Sequence, residues 1–151
     1  MSGMFTILIN LLIPLLITPM GTGKSDQSAN KYVSYSVSVD KHSLKAGSKG
    51  TLLFTLRPQD GIHINVQPAP GFSFDTTSGI RSGGNLEISK DTTSGFLSKH
   101  KPIRQSFIIP RNVKTGKVTV RGTLTYFYCS DAEGWCSRFK QPVEATVEVV
   151  P

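Results

Sequence analysis

Beyond residue 31, apolar and polar residues alternate along the chain, and this period of two restricts the fold more than any other feature. The longest alternating run is "GKVTVRGTLTYFY", residues 116–128, in which Val118, Val120, Leu124 and Tyr126 share one parity. Because successive side chains of a strand point to opposite faces, such a run predicts a half-buried β-strand. The same pattern recurs in "YVSYSVSVD", "TLLFTLRP", "RQSFIIP" and "PVEATVEVV".

The segments between these runs predict turns and shorter strands. "KHSLKAGSKG" predicts a turn region, "NLEISKDTT" predicts a further strand, and "GIHINVQPAPGFSF" predicts a short strand broken by Pro68 and Pro70. No window after residue 24 shows a helical period. About seven short strands at roughly ten-residue spacing, with Gly and Pro between them, predict an all-β antiparallel sandwich.

An uncharged apolar run, "MFTILINLLIPLLITPM", occupies residues 4–20, and the first charged residue of the chain is Lys24. Since small and polar residues follow it, the run predicts a secretory signal peptide over residues 1–23. An uncleaved membrane anchor is the alternative, although the run is short for a span and Pro14 interrupts it. A buried core helix would show a polar face, which this run lacks. We therefore expect an exported protein with a polar linker at 24–31 and one domain at 32–151.

The charge of the chain excludes little by itself. The sequence has 17 basic and 10 acidic residues, a formal net charge of +7, and all of them follow the apolar run. The basic residues are scattered, and no aromatic stripe interleaves with them. Together with the expected export, this argues against a nucleic-acid partner. Contact with a membrane is expected only through an uncleaved N-terminal segment.

Two cysteines, Cys129 and Cys136, lie in "TYFYCSDAEGWCSRFK", residues 125–140. In an exported chain they imply an oxidising compartment, in which a disulfide persists. Their parity places both on the outward face of a hairpin, opposite the core set that contains Tyr126 and Val143. The spacing alone leaves two interpretations open at equal weight: a structural staple, or a pair of sulfurs that exchanges electrons with another protein.

The residues around the two cysteines bear on the exchange interpretation. Arg138 and Lys140 share the predicted face of Cys136 and would favour a thiolate, whereas Asp131 and Glu133 would oppose it. Aromatic side chains crowd the same segment, where they would shield the disulfide or form an apolar rim for a docking partner. These aromatic residues are Phe127, Tyr128, Trp135 and Phe139.

The strand "GTLTYFYC", the short polar loop, the "WC" pair and the final strand resemble the N-terminal domain of the bacterial thiol:disulfide interchange protein DsbD and related periplasmic modules. "GIHINVQPAPGFSF" is similar to a glycine–X–histidine–aliphatic segment of many of those modules. The resemblance covers most of residues 32–150 and implies an immunoglobulin-like sandwich in the periplasm of a Gram-negative bacterium. It implies that Cys129 and Cys136 relay electrons, through a mixed disulfide, between a thioredoxin-like or membrane donor protein and oxidised exported proteins. The analogy favours Cys136 as the cysteine that forms the mixed disulfide.

Two other functions remain open from the sequence. The first is a secreted interaction module whose disulfide is purely structural. The second is a copper or zinc site formed by His63 with Cys129 and Cys136, although no close His–Cys spacing supports it. The sequence shows no nucleophile elbow, no paired carboxylates and no phosphate-binding glycine loop, and we expect no cofactor.

Overall fold

The alternating segments form nine β-strands in residues 29–151, the part of the chain that the computed structural model describes. The strands are β1 Val33–Val39, β2 Ser43–Lys45, β3 Lys49–Pro58, β4 Ile62–Ile64, β5 Gly71–Phe74, β6 Arg81–Ser82, β7 Ile103–Ile108, β8 Gly116–Ser130 and β9 Trp135–Val150. One 3-10 turn, Thr76–Ser78, is the only helical element among the described residues. The predicted signal or anchor segment and most of the predicted linker lie outside the described residues.

The strands form two sheets with the topology of an immunoglobulin domain. The first sheet has the order β1-β3-β7-β6, which is the A-B-E-D order of that fold. The second has the order β2-β9-β8-β4, in which β4, β8 and β9 take the places of strands C, F and G. The pairings are antiparallel except for β2, which runs parallel to the end of β9. The predicted immunoglobulin-like antiparallel β-sandwich is confirmed.

The core lies between the two sheets, because one parity of each long strand points inward. In β9, for example, Val143, Ala145, Val147 and Val149 are buried while the residues between them are exposed or half-buried. Both sheets contribute large side chains that are fully buried, among them Phe54, Phe107, Tyr126, Leu52, Ile103 and Leu124. Burial of this apolar area is the main term that stabilises the sandwich.

β8 and β9 form the longest hairpin of the described domain. They pair without interruption from Gly116 opposite Val149 to Ser130 opposite Trp135. Pro142 is accommodated within β9 because β2 reaches only the last residues of β9, so that β9 is an edge strand at Pro142. Gly122 of β8 allows β5 to approach closely, since a Cβ atom there would collide with the Phe72 ring and the Ser73 carbonyl oxygen.

Three local expectations from the sequence are wrong. The "NLEISKDTT" segment forms no strand and contributes only two isolated bridges, Glu87 with Arg104 and Lys90 with Leu97. The predicted turn region "KHSLKAGSKG" contains the short strand β2 and the first residues of β3. The last strand begins at Trp135 and not at Pro142. Strand pairing decided each outcome: β2 forms on the distant β9, β9 extends along β8 as far as Trp135, and the 85–93 segment makes no continuous ladder with another strand. Local pattern does not record such pairing.

Within residues 29–151, no helix has the length and apolar character that crossing a membrane requires.

Candidate functional site

The end of the β8–β9 hairpin brings the two cysteines together. Cys129 of β8 lies directly opposite Cys136 of β9, their Cα atoms are 4.1 Å apart, and a disulfide joins them. The connecting turn spans residues 131–134 and ends at Gly134, whose positive φ of 68° suits glycine. The Gly134 amide donates to the Ser130 carbonyl oxygen at 2.9 Å and closes the turn. The hairpin therefore fixes the pair in register.

The two sulfur-bearing residues differ sharply in exposure. Cys136 is exposed, whereas only 6% of Cys129 is accessible to solvent. The alternation of β8 and β9 does place both on the face opposite the core, as the sequence predicts. Cys129 is nevertheless buried, because β4 pairs with β8 on its other side and His63 lies opposite Cys129 in that pairing. A reactant from solvent therefore meets Cys136 first.

Asn65 contacts the buried sulfur directly. Its Nδ2 atom lies 3.4 Å from Cys129 Sγ and donates a hydrogen bond to it, and its Oδ1 atom lies 3.6 Å from the same sulfur. Since a disulfide sulfur carries no proton, Nδ2 is the donor in the oxidised protein. The backbone N–H of Asn65 donates to the Phe127 carbonyl oxygen at 2.9 Å and extends the β4–β8 pairing by one residue.

His63 lies between an acidic side chain and an aromatic ring. Its Nδ1 atom is 3.2 Å from Asp131 Oδ2 in the hairpin turn, and its ring stacks on Phe96 with a centroid distance of 3.6 Å. Phe96 belongs to the 91–97 loop, in which Asp91 accepts hydrogen bonds from the Thr93 and Ser94 amides. The Leu97 amide of this loop donates to the Ile64 carbonyl oxygen at 2.9 Å. The loop is thereby fastened along β4.

These elements border an open cavity of about 550 Å³ next to the disulfide. Its wall is formed by β4 and the residues after it, by the 91–97 loop through Gly95 and Phe96, and by the β8–β9 turn. Both cysteines and Trp135 line it. The cavity gives the disulfide a concave surface of mixed polar and aromatic character, on which part of another molecule can rest.

The predicted aromatic group is divided between the two faces of the sheet. Phe127 lies on the face of the sulfurs, opposite Arg138 of β9. Tyr128 and Phe139 have the opposite parity and pack with the core, where Phe139 lies 5.8 Å from the Tyr126 ring and Tyr128 lies 5.7 Å from the Trp135 ring. Packing therefore accounts for Tyr128 and Phe139, while Trp135 both packs against the core and lines the cavity.

The charged residues of the segment fall into two groups. Arg138 and Lys140 are exposed on the outward face with Cys136, as predicted. The two acidic residues of the turn each have a partner: Asp131 lies against His63, and Glu133 accepts a hydrogen bond of 2.7 Å from the Trp135 indole nitrogen. Both carboxylates therefore make local contacts that stabilise the turn and the cavity wall.

The metal alternative brings together the right residues in the wrong chemical state. His63, Cys129 and Cys136 form one row across β4, β8 and β9. The two sulfurs are bonded to each other, however, and a cysteine binds a metal ion only as its thiolate. Within residues 29–151, no three His, Cys, Asp or Glu side chains are arranged to hold a metal ion.

Two residues of this site, Asn65 and Phe96, are not anticipated by the sequence analysis. Asn65 shares the parity of His63 in "GIHIN", so the short strand predicted for that segment places both on the same face. Phe96 stands in a polar stretch without strand pattern, and only the pairing of the 91–97 loop with β4 brings it to His63.

The fold and site define an immunoglobulin-like sandwich with a half-exposed disulfide at the end of its longest hairpin. No family model matches the chain, and no curated protein matches it. Among solved structures, it is similar to the crystal structure of AggA, the major subunit of aggregative adherence fimbriae type I from Escherichia coli. The two are 8% identical, the alignment covers 81% of this chain and 98% of that chain, and the TM-score is 0.41. We draw no functional inference from so distant a likeness.

Proposed function

We propose that this protein is an exported thiol–disulfide exchange module, which relays electrons through the Cys129–Cys136 pair. The observation that carries the proposal is the asymmetry of the pair: an exposed Cys136 bonded to a buried, hydrogen-bonded Cys129, beside an open cavity. Exchange requires one sulfur that a partner can reach and one that can leave. The resemblance to the N-terminal domain of DsbD supports the same chemistry.

The asymmetry gives each sulfur a role in the reaction. A thiolate of the donor protein attacks Cys136 Sγ, a mixed disulfide forms, and the Cys129–Cys136 bond breaks with Cys129 leaving as a thiolate. A second thiol of the donor then attacks the mixed disulfide, which leaves the donor oxidised and both cysteines reduced. The module thereby gains two electrons and two protons.

The same roles serve the delivery of electrons. In the reduced module, the Cys136 thiolate attacks a disulfide of an oxidised exported protein and one sulfur of that protein leaves. Cys129 then attacks the mixed disulfide and releases the target with its disulfide reduced. Arg138 and Lys140, exposed on the face of Cys136, favour the thiolate that begins this step.

The proposed partners follow from this chemistry. The donor is a thioredoxin-like or membrane-bound dithiol protein, and the acceptors are oxidised exported proteins. The compartment is the periplasm of a Gram-negative bacterium, where the apolar N-terminal run would direct the chain. The cavity wall around Phe96 and Trp135 offers the apolar surface on which a partner would dock.

Single-cysteine variants test the proposal. Cys129→Ala retains only Cys136, and Cys136→Ala, its matched control, retains only Cys129. Each is activated as a mixed disulfide with 5-thio-2-nitrobenzoate and then mixed with a thioredoxin that lacks its resolving cysteine. We expect rapid formation of a covalent complex with Cys129→Ala and little with Cys136→Ala, because Cys129 is buried.

The other outcomes of that experiment are equally informative. Equal trapping by both variants would show that the asymmetry does not govern the attack. Failure of both to form a complex would contradict the exchange function and favour a structural disulfide in a secreted interaction module.

A further inference from the structure

Among the hydrogen bonds of residues 29–151, the one that reaches a sulfur comes from Asn65. The half-buried side chain lies with Nδ2 at 3.4 Å from Cys129 Sγ, and the backbone holds it there from two sides. The backbone N–H of Asn65 donates to the Phe127 carbonyl oxygen of β8, and the Ile64 carbonyl oxygen just before it accepts from the Leu97 backbone N–H of the 91–97 loop. The donor is thus in place before any reaction starts.

We propose that Asn65 is a catalytic residue of the exchange reaction, which donates a hydrogen bond to the Cys129 sulfur as that sulfur leaves. The inference rests on the proposed function, because it assigns a role within the same reaction. Preorganised donors aimed at a position where negative charge develops lower the barrier, since no reorganisation is needed at the moment of reaction.

The step balances without any further reactant. As the donor protein's thiolate bonds to Cys136 Sγ, the electron pair of the Cys129–Cys136 bond passes to Cys129 Sγ. Negative charge therefore moves from the incoming sulfur to the Cys129 sulfur, next to Asn65 Nδ2. A neutral contact to a disulfide sulfur then becomes a charge-assisted hydrogen bond, which is stronger. In the reverse direction, the same contact favours the thiolate with which Cys129 resolves a mixed disulfide.

The amide group could act in two opposing ways, and the chemistry decides between them. Nδ2 donates to the thiolate and favours it, whereas Oδ1, at 3.6 Å, could accept from the protonated thiol and favour that form. A thiol is a weak donor, and a hydrogen bond to an anion is roughly twice as strong as one between neutral groups. The net effect of Asn65 is to favour the thiolate.

The other charged and titratable groups around the pair are the same residues in every Asn65 variant. His63 of β4 lies opposite Cys129 and is held by Asp131 of the turn. Arg138 and Lys140 lie on the Cys136 side, on β9. A comparison of Asn65 variants therefore isolates the contribution of the amide.

The test measures the acidity of Cys129 in the Cys136→Ala background, by absorbance at 240 nm as a function of pH. Loss of the donor in Asn65→Ala should raise the Cys129 pKa by about one unit, a tenfold change in the thiolate equilibrium. Asn65→Asp has nearly the same shape and places a negative charge beside the sulfur, so it should raise that pKa further. Asn30→Ala is the control, because it removes a comparable side-chain hydrogen bond, from Asn30 Nδ2 to the Tyr126 hydroxyl, that lies outside the site.

A kinetic measurement with both cysteines present completes the test. Reduction of the disulfide by dithiothreitol should slow about threefold in Asn65→Ala. This estimate takes the exchange rate to depend on the pKa of the leaving thiol as strongly as on the pKa of the attacking thiol. An unchanged Cys129 pKa in both Asn65→Ala and Asn65→Asp would overturn the assignment, and cooperative urea unfolding of each variant shows that it is folded. The titration involves no partner protein, so an unchanged Cys129 pKa would contradict only the role of Asn65. Failure of the thioredoxin trapping experiment would contradict the exchange function itself.

Discussion

Reduction of the disulfide is predicted to weaken the fold by a limited amount and to leave it intact. Cys129 and Cys136 are separated by 7 positions in the chain, so the bond closes a very short loop. The chain-entropy relation for a loop of this length gives a stabilisation of about 2.4 kcal/mol at 25 °C. A relay protein must be folded in both redox states. A domain of ordinary stability stays folded after a loss of this size in its free energy of unfolding.

The structure explains why the rest of the domain does not depend on the bond. The 15 residues of β8 pair continuously with β9, so the hairpin register is set far beyond the disulfide. Phe54 and Phe107 of one sheet and Tyr126 and Leu124 of the other are fully buried between the sheets. None of these contacts requires the sulfurs to be joined.

The assay is urea unfolding, followed by circular dichroism, of the oxidised protein, the protein kept reduced with dithiothreitol, and the Cys129→Ala/Cys136→Ala double variant. We expect all three to unfold cooperatively, with the free energy of unfolding about 2.4 kcal/mol lower in the latter two. A reduced protein without a cooperative transition would refute the reasoning, because the disulfide would then be a structural requirement of the fold.

Three further predictions concern packing, access and pH. Gly122→Ala should destabilise the domain by about 1–3 kcal/mol, because its Cβ atom meets Phe72, whereas Gly71→Ala, with no atom within 4 Å of its Cβ, should change the free energy of unfolding little. Equal effects in urea unfolding would contradict the close approach. Phe96→Ala removes the ring stacked on His63, which lies opposite the buried Cys129, and should speed the reaction of the Cys129 thiol with iodoacetamide in the Cys136→Ala variant; an unchanged rate would show that the ring does not restrict access to Cys129. Burial raises the pKa of Tyr126 to about 12. As the pH rises from about 10 to about 12, the Tyr126 phenol therefore loses its proton more readily in the unfolded chain than in the folded protein, and the free energy of unfolding should fall. Tyr126→Phe should lessen that slope in urea unfolding measured across this range, and an identical slope would count against the buried phenol as its source.

Much of the fold could be predicted because the long strands carry their own signal. The parity of β8 and β9 places Tyr126 and Val143 in the core and both cysteines on the other face, and the structure agrees. The continuous pairing past Pro142 preserves that parity, since the proline lies where β9 is an edge strand. A period of two is a local property, so the sequence alone displays it.

The contacts of Asn65 and of the 91–97 loop at the site could not be predicted, because they depend on pairings between distant segments. Asn65 and Cys129 lie 64 positions apart, and only the β4–β8 register brings them together. The 91–97 loop reaches β4 through a hydrogen bond between Leu97 and Ile64, to which the local pattern gives no clue. The burial of Cys129, and with it the asymmetry of the pair, follows from these contacts.

The measurement that tests the central claim most directly is the reduction potential of the Cys129–Cys136 couple, determined by equilibration with glutathione buffers and thiol trapping. The exchange function predicts a potential of roughly −180 to −270 mV, the range of known exchange proteins. A potential well below about −300 mV would contradict it and would mark the bridge as a structural disulfide.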